Sequence, residues 1–282
     1  MYADDIQIYT MFVPTDPVAV DTAIHKLSCC ITEIHDWMKA NKLKLNDAKT
    51  EFFVSASPHH LSSDLMKDVR LTINEKSFQP CKSVRNLGIT FEPSANLSHH
   101  VTLVCRNVKF HLRNLWRVRR FIDKQTCHAA VRALVLSRLD YCNSLFSVLS
   151  QKDLDRLQRL QNSAARLVFS APLRTRTEPL RLELHWLPVR QRIAFKILLL
   201  VFKSLNHRSP EYIDNILIRR SQVRTTRSSS SIWLTQRLSK RRAGETSFPV
   251  IAAKLWNHLP AAVKMASSVE QFKKAIKSHL FC

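Results

Sequence analysis

Apolar residues recur along this 282-residue chain with two different periods, and the period changes as the chain proceeds. Ile24, Leu27, Ile31, Ile34 and Met38 fall three or four apart, which puts them on one face of a helix from about Pro17 to Asn41. Asp16 stands where it can cap that helix, and Pro17 occupies its first turn. Shorter runs, Ile6 to Phe12, Thr50 to Ser55, Val69 to Ile73 and Ser83 to Phe91, have the composition and alternation of strands. Residues 1–95 are therefore expected to form a small α+β unit in which the helix lays its apolar face against a sheet.

Helical periodicity takes over in residues 96–172. From Val101 to Ile122, the residues Val101, Val104, Val108, Leu112, Leu115, Val118 and Ile122 gather on one side. Arg106, Lys109, Arg113, Arg117 and Arg120 fall within an arc of roughly 80° on the other side, at about 100° per residue. Arg119 breaks the separation, because it points toward the apolar side. Further helices are expected over Lys124 to Val148 and Lys152 to Phe169, the latter with Leu157, Leu160, Ala164 and Leu167 as its core and Arg156, Arg159 and Arg166 beside them. A third zone, residues 173–282, holds an apolar helix from about Val189 to Leu205. A basic, Ser-rich linker follows at about 219–245, then two short helices near Pro249 to His258 and Val269 to Leu280. The fold class read from these periods is α+β, mostly helical.

Composition narrows the function. Only Gly88 and Gly244 are glycine, so loops of the GxGxxG or GxxxxGK[ST] kind that cradle phosphates are excluded. The net charge of +22 calls for a polyanionic partner, of which nucleic acid is the commonest, although a solvated basic surface gives the same total. Its distribution adds to this: residues 1–100 carry 10 Lys/Arg against 12 Asp/Glu, whereas residues 101–282 carry 34 against 10. The seven cysteines include no CxxC, which speaks against zinc and against a disulfide framework. The acidic N-terminus does not read as a signal peptide, and the longest apolar run, Ile197 to Phe202, is far too short to span a bilayer. An intracellular protein, cytoplasmic or nuclear, with no membrane partner is the expectation.

Candidate chemistry stands at the very start, in Tyr2-Ala3-Asp4-Asp5. Adjacent carboxylates on a tight turn beside a strand suit two-metal nucleotidyl transfer, since hard Mg²⁺ ions need rigidly held oxygen ligands. Alone, the tetrapeptide also reads as an acidic turn without function. No Ser/His/Asp or Cys/His arrangement emerges elsewhere. The stretch from Ser137 to Leu145 reads as structural, with Leu139, Tyr141 and Leu145 packing and Asp140 paired to a basic neighbour. His185-Trp186 reads as a docking anchor. Trp37, Trp116, Trp186, Trp233 and Trp256 are expected in core or interface positions, with Trp116 set apart by its place beside the basic stripe.

The order of segments resembles the C-terminal part of LINE-type (non-LTR) retrotransposon reverse transcriptases. YADD is followed by an amphipathic helix, by Leu43-Lys44-Leu45-Asn46-Asp47-Ala48-Lys49-Thr50 and by Val84-Arg85-Asn86-Leu87-Gly88-Ile89, the succession found at the end of that family's palm. Downstream, Ser137–Leu145, Leu157–Leu167 and Leu184–Arg190 are similar to thumb and post-thumb sequences of its Rex/jockey-like branch. Trp256-Asn257-His258-Leu259-Pro260 and Phe272 to Phe281 are similar to that branch's C-terminal end. The resemblance implies a partial palm over 1–95, a helical thumb over 96–172 and a helical C-terminal region over 173–282. It implies Asp4 and Asp5 as catalytic metal ligands, Lys49 as the motif lysine able to act as a general acid, and Leu87, Gly88 and Ile89 as the primer grip. Where family members often carry an aspartate after L-G-I, Glu92 is the nearest acid here.

The same resemblance implies an RNA-directed DNA polymerase whose third carboxylate and fingers come from segments upstream of YADD. The parent enzyme would use Mg²⁺. A chain holding only Asp4 and Asp5 is expected to bind no ion tightly and to be inactive alone. What survives on this reading is binding of an RNA template and of RNA–DNA or DNA duplex, through Arg106, Lys109, Arg113, Arg117 and Arg120. A non-catalytic basic helical module and a non-functional relic of a mobile element are the alternatives. Template, insertion target and oligomeric state are left open.

Overall fold

The computed structural model describes residues 5–73, 76–220, 232–237, 239 and 242–281, without the side chains of residues 47, 242 and 243. It is a mostly helical α+β protein with two small two-stranded sheets, and it divides into two compact units, Met1–His100 and Val101–Cys282. The helices of the expected thumb region and those of residues 173–282 thus share one unit.

In the first unit the helix Pro17–Ala40 begins where its sequence says it should. Asp16 accepts from the backbone N–H of Val18 at 3.0 Å, and proline fills the first turn. Val20 and Ala23 are its most buried side chains. Val20, Ile24, Leu27 and Ile31 pack with Phe52, Val54, Met66, Val69, Leu71 and Ile73. β1 (Leu71–Ile73) pairs antiparallel with β2 (Lys76–Phe78). β3 (Val84–Asn86) pairs antiparallel with β4 (Ile89–Phe91). The expected run Ser83 to Phe91 is therefore a hairpin and not one strand. Its register leaves Leu87 and Gly88 as a two-residue turn with φ of 44° and 83°, the left-handed pair that a tight hairpin demands.

Two expected strands do not form. Residues 6–12 carry no regular structure and no backbone hydrogen bond to a described residue, and Ile6, Ile8, Tyr9 and Met11 stand 41%, 37%, 88% and 91% exposed. Alternation supplies a face, but a strand exists only with a partner ladder. Residues 50–55 keep the alternation, with Phe52 and Val54 buried, but form no ladder among the described residues. Phe52 O accepts from Cys81 N, while Pro93 O accepts from Ala56 N and the Ser55 hydroxyl.

The second unit is built around the helix Val189–Leu205, which packs against the helices Gln151–Phe169, Phe248–His258 and Val269–Phe281 and the 3₁₀ segment Asn143–Val148. Val189, Ile193, Ile197, Leu198, Val201, Phe202 and Leu205 are all buried, as expected of a helix that is apolar on most sides. Phe202 stacks on Phe272 with centroids 4.1 Å apart, and Trp256 lies against the same ring. The helix expected from Lys124 to Val148 is broken. It runs α over Lys124–Val131, widens to a π turn over Arg132–Leu136, resumes over Ser137–Asp140 and stops at Cys142, whose φ is 49°. At that break Arg192 forms a two-pronged ion pair with Asp140, and Asn143 donates to the same carboxylate. Leu139 is buried, as expected of this stretch, whereas Tyr141 and Leu145 are 50% and 40% exposed.

Candidate nucleic-acid interface

The helix Ser98–Val118 carries four of the five predicted cations, Arg106, Lys109, Arg113 and Arg117, and the 3₁₀ turn Arg119–Phe121 that follows it carries Arg120. The N-terminus of the helix is built from acceptors: Asn96 Oδ1 takes the N–H of Ser98 at 3.0 Å and Glu92 Oε2 that of His99 at 3.1 Å, so Glu92 serves as a helix cap. Val101, Cys105, Val108, Leu112 and Leu115 are buried, and that stripe fixes the rotation of the helix. Arg106, Lys109, Arg113, Arg117 and Arg120 consequently all face solvent. None of them forms an ion pair with a described carboxylate, whereas Lys67, Lys124, Arg156, Arg192 and Lys273 do.

The positive field extends onto the neighbouring helix Gln151–Phe169. Burial pushes the Cys105 thiol upward in pKa, and Arg156, Lys109 and Arg159 pull it back, which places cations of both helices around one buried sulfur. Arg156 is committed to Asp153 and the Thr102 hydroxyl, while Arg159 is exposed. Arg119, the cation that sequence periodicity turns toward the core, neither points outward nor lies idle. It donates to Leu167 O, Val168 O and Ile122 O, each at 2.8 Å, and so closes the C-terminus of Gln151–Phe169.

Aromatic side chains lie among the exposed cations. Phe110 is 57% exposed, Trp116 42% and Phe121 72%. At about 100° per residue along Ser98–Val118, Phe110 borders one edge of the cationic arc and Trp116 the other, while Phe121 ends the 3₁₀ turn that carries Arg120. The guanidinium of Arg120 rests 4.7 Å from the Phe121 ring centroid. Sequence reasoning singled out Trp116 and passed over the two phenylalanines. Their only trace in the sequence is that they are apolar residues off the core stripe and next to cations.

The other predicted site residues are placed as follows. Asp4 lies outside the described residues, and Asp5 is exposed. Lys49 is exposed at the end of a 3₁₀ turn, Asp47–Lys49, that Asn46 organises by accepting from Ala48 N through its side chain and from Lys49 N through its carbonyl. No hydrogen bond or ion pair joins Asp5 to Lys49. Among the described residues no three His, Cys, Asp or Glu side chains gather into a metal-binding group. Of the expected primer grip, Leu87 and Gly88 present their turn to solvent while Ile89 is 2% exposed and anchors it from below. Behind the hairpin, buried His100 accepts the Thr90 N–H on Nδ1 at 3.3 Å. Burial, then Arg85 and His99, hold its pKa below the ordinary value of 6.5.

The downstream motifs are structural clamps. Gln161, fully buried, donates to Leu187 O at 2.8 Å and Gln158 Oε1 accepts from Val189 N at 2.9 Å, so two side chains hold the chain on either side of Pro188. Trp186 is 4% exposed beside His128, which agrees with a docking anchor. Asn257 pairs both amide ends with the backbone of Leu234, and Trp256 Nε1 donates to Ile232 O. Trp256 is buried in the core, whereas Trp37 is 62% exposed. Most of the linker expected at 219–245, residues 221–231 above all, lies outside the described residues.

Among the described residues no helix is long and apolar enough to cross a membrane. Comparison with protein-family models, with curated proteins and with solved structures yields no match for this chain.

Proposed function

We propose that this chain binds nucleic acid through the phosphate backbone, using the exposed face of Arg106, Lys109, Arg113, Arg117 and Arg120, and that it derives from the palm, thumb and C-terminal region of a non-LTR retrotransposon reverse transcriptase. One observation carries the binding reading: five exposed cations have no described acidic partner, four on a helix whose opposite face is buried and Arg120 in the 3₁₀ turn that continues it. Cations without an acidic partner on a helix and the turn that continues it keep their charge available for a polyanion and displace its counterions on contact. Arginine dominates the set, and its planar fork suits phosphate oxygens. Such contacts hold position without reading sequence.

The polymerase ancestry rests on the order of motifs and on a tight Leu87-Gly88 hairpin where the family has its primer grip. On the resemblance the third carboxylate comes from a segment upstream of Tyr2-Ala3-Asp4-Asp5, so the 282 residues as given are expected to extend no primer. Primer extension on an RNA template checks this. Incorporation of nucleotides that Asp4→Ala abolishes would restore the enzyme.

Binding is tested by affinity against salt for the full chain, on one oligonucleotide. Each lost phosphate contact lowers the slope of log affinity on log salt by about 1. Changing all five cations to Ser is expected to remove most of the slope. Unchanged affinity and slope in a folded variant would refute the assignment.

A further inference from the structure

From the exposed aromatic rings beside the cationic face we infer that its ligand is an unpaired nucleic-acid strand whose bases stack on Phe110 and Phe121. The inference rests on the binding reading above and adds the class of ligand.

A face that only met phosphates would have no use for two exposed phenylalanines. Phe offers no donor to a phosphate oxygen, and at 57% and 72% exposure both rings keep most of their apolar surface in water. Neither ring belongs to the core stripe, and neither is needed to fix the helix, which Val101, Val108, Leu112 and Leu115 already do. In a duplex the faces of the bases are covered by one another, and a helix lying along the backbone meets only sugar and phosphate edges. In a single strand every base has a free π-face, and a groove of cations with interleaved aromatics serves backbone and bases together.

Spacing fits that ligand. Phe110 and Phe121 are eleven residues apart, the first eight in the α-helix to Val118 and the last three in the 3₁₀ turn, about 18 Å along the axis. That is the run of roughly five nucleotides at a rise of 3.4 Å per strand. Arg113 and Arg117 lie between the two rings and Arg120 beside the second, where the intervening phosphates would pass. Arg120 already packs its guanidinium over Phe121, so the ring is held broadside by a charge that can also reach a phosphate. Trp116, 42% exposed on the opposite edge of the stripe, offers an optical reporter.

The experiment uses the full chain and labelled probes of mixed sequence. These are a 16-nucleotide RNA single strand, the same strand as DNA, each annealed to its complement, and the DNA strand with abasic sites through its middle. Expected is tighter binding of both intact single strands than of either duplex, with quenching of Trp116. Phe110→Ala and Phe121→Ala should each weaken single-strand binding about tenfold, within the range observed for loss of one base–aromatic stack. Their salt slope should stay at the wild-type value, and they should bind the abasic strand as well as wild type does. Because both rings are exposed, the variants should keep the wild-type melting temperature, and Phe→Trp at either position should restore affinity. Equal or tighter binding of duplex by the wild-type chain, or unchanged single-strand affinity in the double alanine variant, would overturn the inference while leaving the salt slope, and so the backbone reading, intact. A slope that disappears in no variant, or binding to a protein ligand alone, would sink both.

Discussion

A single guanidinium ties the end of one helix to the end of the next. Arg119 gives three hydrogen bonds of 2.8 Å to Leu167 O, Val168 O and Ile122 O; the first two lie in the last turn of the helix Gln151–Phe169, where Leu167 O also takes the N–H of Ser170 at 3.2 Å. Removing it leaves those carbonyls without their charged donor, so Arg119→Ala should cost about 2–4 kcal/mol in urea unfolding. Arg119→Lys should recover little, since an ammonium cannot reproduce a flat fork aimed at three oxygens. A loss under 0.5 kcal/mol in the alanine variant, within the range of an ordinary surface change, would mean that the cap is idle. His100 supplies a second test at this scale. Its ring is 5% exposed and must stay neutral at Nδ1 to accept from Thr90, with Arg85 and His99 also disfavouring charge. The folded pKa lies below the unfolded value of 6.5, so the unfolded chain takes up the proton first. The contribution of His100 to stability is complete above that value and is lost as pH falls from it toward the folded pKa. Denaturation curves at pH 7.5 and 5.5 should show weaker folding of residues 1–100 in acid. His100→Gln, which keeps an acceptor and cannot titrate, should flatten that dependence.

At the scale of elements, the pairing of the Gln151–Phe169 helix with the Leu184–Arg190 stretch shows what a recurring motif is for. Gln161 has no exposure and spends its amide on Leu187 O, while Gln158 takes Val189 N across a proline that has no N–H to give. Gln161→Leu keeps the volume but orphans the carbonyl of a residue that is 5% exposed, and should destabilise the second unit by about 2–3 kcal/mol in urea. A neutral outcome would show that water replaces the amide. The sequence made the long helices readable because a one-sided apolar stripe and a cap are local facts. Pro17–Ala40, Ser98–Val118, Gln151–Phe169 and Val189–Leu205 fall within a few residues of expectation. It failed where the outcome depended on a partner. Residues 6–12 alternate like a strand and find no described ladder, and the Lys124–Val148 periodicity hides a break at which the distant Arg192 pairs with Asp140. The site divides in the same way. The five cations could be placed because their face is complementary to a legible core stripe. Phe110 and Phe121 were hidden because an apolar residue off that stripe reads as noise until its exposure is known.

For the molecule as a whole, the division into units at His100 coincides with a division of charge: residues 1–100 carry 12 acids against 10 bases and residues 101–282 carry 34 bases against 10 acids. A compact unit with so large an excess of one sign repels itself, and added salt screens that repulsion over a Debye length that falls to about 10 Å at 0.1 M. The free protein should therefore gain stability as NaCl rises from about 50 to 300 mM, by an estimated 2–4 °C in Tm, if relief of repulsion is worth on the order of 1 kcal/mol. Bound to a single-stranded oligonucleotide at a hundred times its Kd, the folded protein should instead be stabilised by about 2.7 kcal/mol at low salt, because the ligand favours the native state. That gain should shrink as the same salt weakens phosphate contacts. Salt thus acts with opposite signs on the free and the bound protein, and two thermal scans with and without the strand, at each ionic strength, separate them. Converging melting curves at high salt are the signature of a basic surface made for a polyanion. Parallel curves would mean that the excess charge of residues 101–282 serves solubility alone.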